Sequence, residues 1–94
     1  MNNAPLKHFS IRVGGRVQGV FFRASAADMA RALGLNGFVR NEEDGSVYIE
    51  VEGPYDKLLK FVEWAKKGPP HASVNFCEVS EGDLRNFLVF EIQR

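Results

Sequence analysis

The first regular pattern runs from Lys7 to Val13, where Phe9, Ile11 and Val13 alternate with His8, Ser10 and Arg12. A period of two is that of a half-buried strand, which Gly14 and Gly15 are expected to end. Phe22, Ala26, Met29, Ala30 and Leu33 then fall on one stripe at helical spacing. They predict a helix over 22–33, closed by Gly34 as a left-handed cap. Two strands follow, Phe38 to Asn41 and Ser46 to Glu52, around the acidic turn Glu42-Glu43-Asp44-Gly45, with Val47, Ile49 and Val51 inward. Gly53-Pro54 opens a second helix, with Pro54 in a first-turn position and Asp56 near the positive dipole end. Its apolar face of Tyr55, Leu58, Phe61, Val62 and Ala65 stops at Gly68-Pro69-Pro70. Ala72 to Val79 and Phe87 to Ile92 complete the chain as strands.

The order is therefore β-α-β-β-α-β with an extra C-terminal strand, an α+β class. In the split βαβ arrangement an antiparallel sheet is covered on one face by two helices. The first two strands then run parallel with the third between them. The loop after Val13 and the residues around Asn41 emerge at the same end of the sheet, so Arg23 and Asn41 can face one pocket.

Length and composition narrow the classes. Ninety-four residues suit one domain, expected over 1–94 with residues 1–6 flexible. Hydrophobic residues at 45% and charged residues at 26% exclude a disordered or disulfide-scaffold chain. The lone Cys77 suits a reducing compartment, no apolar run is long enough to span a membrane, and Met1 to Phe9 lacks the apolar core of a signal peptide. A cytoplasmic monomer is the expectation. A formal charge of zero argues against a general nucleic-acid or anionic-membrane binder. The first forty residues nevertheless carry Lys7, Arg12, Arg16, Arg23, Arg31 and Arg40 against Asp28 alone, which hints at a local anion site.

The segment Gly14-Gly15-Arg16-Val17-Gln18-Gly19-Val20-Phe21-Phe22-Arg23 joins a strand to a helix. Glycines let successive N–H groups turn inward, and a helix N-terminus after them completes a concave anion site. Glycines alone would fit a plain tight turn equally well. Arg23 adds weight, because a cation there opposes the helix dipole unless an anion lies between. The glycine spacing imitates a nucleotide P-loop, but Val20 and Phe21 stand where Lys and Ser or Thr would be required. A cysteine phosphatase would need a thiolate six positions before its arginine, where this chain has Val17. Both are rejected.

The run Val13-Gly14-Gly15-Arg16-Val17-Gln18-Gly19-Val20-Phe21-Phe22-Arg23 resembles the first signature of the acylphosphatase family. Gly37-Phe38-Val39-Arg40-Asn41, with Gly45, Val47 and Gly53, resembles the second. The likeness extends from Lys7 to the terminal strand. It implies a ferredoxin-like two-layer sandwich and hydrolysis of the carboxyl-phosphate bond of acyl phosphates, without metal or cofactor. By position, the phosphate of the small-molecule substrate, or inorganic phosphate or sulfate in its place, would sit in the amides of Arg16, Val17, Gln18, Gly19, Val20, Phe21 and Phe22. Arg23 would clamp it and Asn41 would hold the attacking water. The chemistry is consistent: phosphoryl transfer asks mainly for positioning and charge stabilisation, and a carboxylate leaving group needs no protein acid.

Read singly, Asn41 is a turn former, Gln18 a brace or a ligand, and Arg16 and Arg40 solvated charges. Tyr48, Trp64 and Cys77 read as packing residues. His8 and His71 lack partners at metal-ligand spacing. Glu42, where some family members carry a small hydroxyl residue, could weaken anion binding, and Phe21 is bulky for a phosphate cradle. The competing reading is a non-catalytic phosphate-binding or regulatory module of the same fold. RNA binding is disfavoured by the absence of exposed aromatics with basic neighbours.

Overall fold

Along residues 4–94, the part of the chain that this computed structural model describes, seven elements follow one another. They are β1 (Leu6–Arg16), α1 (Phe22–Ala32), β2 (Asn36–Asn41), β3 (Val47–Pro54), α2 (Tyr55–Ala65), β4 (Ser73–Gly82) and β5 (Phe90–Ile92). One sheet takes the strands in the order β4-β1-β3-β2-β5. The helices pack on the face that carries Phe9, Ile11, Val13, Val47, Ile49 and Val51, all buried, and supply Phe22, Ala26, Ala30, Leu58, Phe61 and Ala65 to the same core. This is the two-layer α+β sandwich that the periodicity predicts. Met29, Leu33 and Trp64 flank that core half-buried.

The register fixes where a site can form. β3 is antiparallel to both β1 and β2, and Val47 has Val13 on one side and Asn41 on the other. The exits of β1 and β2 therefore lie one strand apart on either side of β3, as the topology requires.

Several details depart from the sequence reading, among them β4, which runs on to Gly82 instead of ending at Val79, and β2, which starts at Asn36 instead of Phe38. β1 does not stop at Gly14-Gly15 but continues to Arg16, because both glycines pair with β4 through a register shift between them. Gly15 has φ +121°, and a Cβ there would lie 2.3 Å from the Ser73 carbonyl oxygen, so glycine is what lets the strand continue through the bulge. Pro54 sits just outside α2 at the N-cap rather than in its first turn, while Asp56 is in that turn. The sheet is mixed, since β5 adds to β2 in parallel through Gly37↔Phe90 and Val39↔Ile92. The last strand also starts at Phe90 and not Phe87. Residues 83–89 cross from β4 towards the opposite edge over the face away from the helices. There the N–H groups of Arg85 and Phe87 donate to the Glu52 carboxylate, the Phe87 bond at 3.0 Å. The Phe87 ring stacks on His8 and meets Phe38 edge-on, with centroids 6.0 and 5.8 Å away. Its N–H, engaged by Glu52, is lost to any ladder.

Of the N-terminal segment expected to be flexible, residues 1–3 lie outside the described part, the Pro5 carbonyl accepts the Tyr55 N–H at 2.9 Å, and Leu6 opens β1.

Candidate active site

The loop between β1 and α1 is tied down at its β1 end. Val17 is fully buried in the core, and the Gln18 side-chain Nε2 donates to the carbonyls of Glu42 and Ser46, each at 2.8 Å. Gln18 thus braces the loop against the β2–β3 turn and does not line the pocket described below. From these anchors to the start of α1 the backbone is open: among the described residues, the N–H groups of Val17, Gln18, Gly19, Val20, Phe21 and Phe22 donate to no backbone carbonyl. Gly19 at φ +74° and Phe21 at φ +65° both adopt left-handed backbone. α1 starts on Phe21 with no side-chain cap and no acidic residue in its first turn, unlike α2 with Asp56. Its positive end is therefore left without a protein counter-charge.

Arg23 and Asn41 line one pocket, of about 320 Å³, with Val17, Gly19, Phe21, Phe22, Ala24, Ile92 and Arg94. Arg23 Nη1 donates to the Gln93 carbonyl at 3.1 Å, which orients the guanidinium. Among the described residues no carboxylate lies within ion-pair distance of Arg23, whereas Arg40 and Arg85 each have one and Arg12 has two. Its remaining N–H donors carry an uncompensated charge at the helix start. Asn41 ends β2, and its Oδ1 is buried without a hydrogen-bond partner among the described residues. A buried carbonyl oxygen of this kind normally has a donor.

The other predicted residues are dispersed. Arg16 is exposed at the end of β1, opposite Ser73, and Val20 leans on the core. Glu42 turns to Arg40, with its carboxylate 3.4 Å from Nε, and Arg40 in turn covers the Tyr48 ring at 4.9 Å. The negative charge that threatened anion binding is thereby engaged elsewhere. Gln93, Ile92 and Arg94 escaped the sequence reading, since only the parallel pairing of β5 with β2 brings the C-terminal residues to the loop. No local pattern signals that contact.

Titratable groups with displaced pKa values lie outside the pocket. Hydrogen bonds from Ser46 hold the Asp44 carboxyl below its ordinary value, and burial raises the Cys77 thiol. His8 is buried between two carboxylates, with Nδ1 2.8 Å from Glu52 and Nε2 3.3 Å from Glu50, a cluster invisible in the sequence because its members are far apart in the chain. Among the described residues no group of three or more His, Cys, Asp or Glu is placed to hold a metal ion. No helix there is long and apolar enough to cross a membrane.

Fold and pocket together define a small ferredoxin-like α+β protein with an amide-lined, arginine-bearing pocket where β1 and β2 end. A family model described as Acylphosphatase matches residues 9–92. An acylphosphatase of Azoarcus sp. is 54% identical over 71 residues, which span 76% of this chain and 72% of that one. One from Anaeromyxobacter sp. is 49% identical over 90 residues, covering 92% and 97% of the two chains. The crystal structure of acylphosphatase from Bacillus subtilis superposes with a TM-score of 0.91 at 40% identity, over 96% of this chain and 100% of that one. This chain belongs to the acylphosphatase family.

Proposed function

We propose that the pocket between the β1–α1 loop and the end of β2 carries out acyl phosphate hydrolysis with Arg23 and Asn41 as its catalytic residues. As a member of its family the chain is a hydrolase of acyl phosphates. The phosphoryl group sits in the amides from Arg16 to Phe22, of which those from Val17 onward are free, and the guanidinium of Arg23 neutralises its equatorial oxygens. Asn41 Oδ1 accepts a hydrogen bond from a water and aims it in line with the leaving carboxylate. The water oxygen bonds to phosphorus as the bond from phosphorus to the acyl oxygen breaks. The carboxylate departs unprotonated, and the proton passes to a phosphate oxygen. Asn41 takes no proton, because an amide only donates and accepts hydrogen bonds.

The observation that carries this reading is the Asn41 Oδ1 atom, buried and without a partner among the described residues, in the pocket that Arg23 lines. Arg23→Ala is expected to raise KM for benzoyl phosphate by roughly tenfold to a hundredfold, the value of a charge-assisted hydrogen bond. Asn41→Ala is expected to lower kcat by about a hundredfold with KM little changed. Both are read in buffer with chelator present, with p-nitrophenyl phosphate as a control whose poorer leaving group should react hardly at all. A wild-type rate in either variant refutes the assignment.

The proposal extends to one domain over 1–94 and to a monomer of the cytoplasm. A pocket built by a single chain, with its C-terminal residues returning to the loop, supports the first two. The lone Cys77 is consistent with the third. Inorganic phosphate or sulfate would occupy the same amides.

A further inference from the structure

Phe21 breaks three local rules at once. It is a bulky residue at φ +65°, ψ 23°, a conformation that disfavours any residue with a Cβ. It occupies the N-cap of α1 without offering a cap bond, where a short polar residue would satisfy a helix N–H. The residue is 77% exposed, so core packing does not compensate. A strained conformation that the fold does not reward points to a role in binding.

Phe21 lines the pocket that holds Arg23 and Asn41, and so does Ile92, itself 40% exposed and set in place by its pairing with Val39. When the phosphoryl group occupies the amide cradle, the acyl chain has to extend out of it, past these two apolar side chains.

We propose that Phe21 and Ile92 form a subsite for the acyl group, and that it selects acyl phosphates whose acyl group is apolar, above all aromatic. The inference rests on the phosphate placement proposed above. An aromatic acyl group packs against the Phe21 ring and the Ile92 side chain, removing apolar surface from water on all partners, whereas an acetyl group is too small to reach them both. The contact is made with the substrate already bound and persists as the carboxylate leaves, so it acts mainly through KM.

The test compares kcat/KM for benzoyl, acetyl and succinyl phosphate in the wild type, Phe21→Ala and Phe21→Leu. Wild type should prefer benzoyl phosphate, and Phe21→Ala should cut the benzoyl-over-acetyl ratio about tenfold through KM for benzoyl phosphate, in line with the burial of one ring face. Phe21→Leu should keep most of the preference. Phenylphosphonate affinity relative to methylphosphonate, read by calorimetry, should fall in the same proportion in Phe21→Ala, which makes the outcome independent of turnover. An unchanged ratio in Phe21→Ala overturns the proposal, as does an equal loss on benzoyl and acetyl phosphate, which would assign Phe21 to loop structure. A wild-type preference for succinyl over benzoyl phosphate also overturns it and transfers acyl recognition to Arg94. Failure of the wild type on all three substrates is a different result, and it counts against the function itself.

Discussion

Gln18 and Asn41 carry the same carboxamide, yet the first gives its N–H donors to two carbonyls of the neighbouring turn and the second keeps a buried oxygen without a partner among the described residues. What separates them is where the backbone places them, not their chemistry. Removing the Gln18 side chain would leave the carbonyls of Glu42 and Ser46 without that donor. Each keeps a backbone donor, the Gly45 N–H for Glu42 and the Glu42 N–H for Ser46, so Gln18→Ala is expected to lose about 1–3 kcal/mol of stability, the net value of the two hydrogen bonds, measured from the urea midpoint. Its effect on activity should fall on KM more than on kcat, because the brace sets the shape of the cradle and touches neither the water nor the leaving group. Arg23 illustrates the same dependence on surroundings. Its charge stays available to a ligand because the carboxylates near the sheet, those of Glu42, Asp44 and Glu50, are already paired with Arg12, Arg40 and Arg85.

Strand β1 carries the element-scale lesson. A glycine pair reads locally as a stop, but here it allows three further residues of ladder, Gly14 to Arg16, by accepting a close approach from β4: a Cβ on Gly14 would lie 2.0 Å from Phe76 Cε2, and one on Gly15 would meet the Ser73 carbonyl. The continued pairing gives the loop a rigid origin at Arg16. Gly15→Ala is expected to cost about 2 kcal/mol or more, from positive φ and a backbone clash together, seen as a lower urea midpoint at unchanged slope. The start of α1 is the other element of consequence. A helix without a cap or an acidic first turn sacrifices some local stability, and inorganic phosphate should restore it. At a phosphate concentration ten times its Kd the protein is expected to gain about 1.4 kcal/mol, read as a rise in Tm that Arg23→Ala abolishes.

At the scale of the molecule, the segment 83–89 straps the face opposite the helices and fastens at His8, Glu50 and Glu52. Burial alone would raise the Glu52 carboxyl, but hydrogen bonds from the N–H groups of Arg85 and Phe87 and from His8 outweigh it and hold the carboxyl below its ordinary value. The folded state thus binds this proton less tightly than the unfolded chain does. The contribution to stability is full above the ordinary glutamate range and is lost as the pH falls through the lower, folded value. Glu52→Gln should flatten the acid limb of a plot of stability against pH, measured by urea unfolding from pH 7 downward, whatever its effect at neutral pH. Since the strap leads directly into β5, whose pairing brings Ile92, Gln93 and Arg94 to the pocket, loosening it should also weaken substrate binding.

Alternation at Phe9, Ile11 and Val13 and at Val47, Ile49 and Val51, with the stripes of the two helices, determined by itself the element order and which face of the sheet is buried. Periodicity suffices there because one face must leave water, and a residue's side follows from its place in the repeat. The loop and its neighbour Arg23 were legible for a related reason: the chemistry is carried by a contiguous stretch of backbone, so glycine spacing and one cation record it. Tertiary structure alone decided the extension of β1, the parallel edge strand, the His8 cluster and the arrival of Ile92 and Gln93 beside Arg23. Each joins residues remote in sequence through contacts that no local repeat encodes, and each depends on which strand edge remained open after the others had paired.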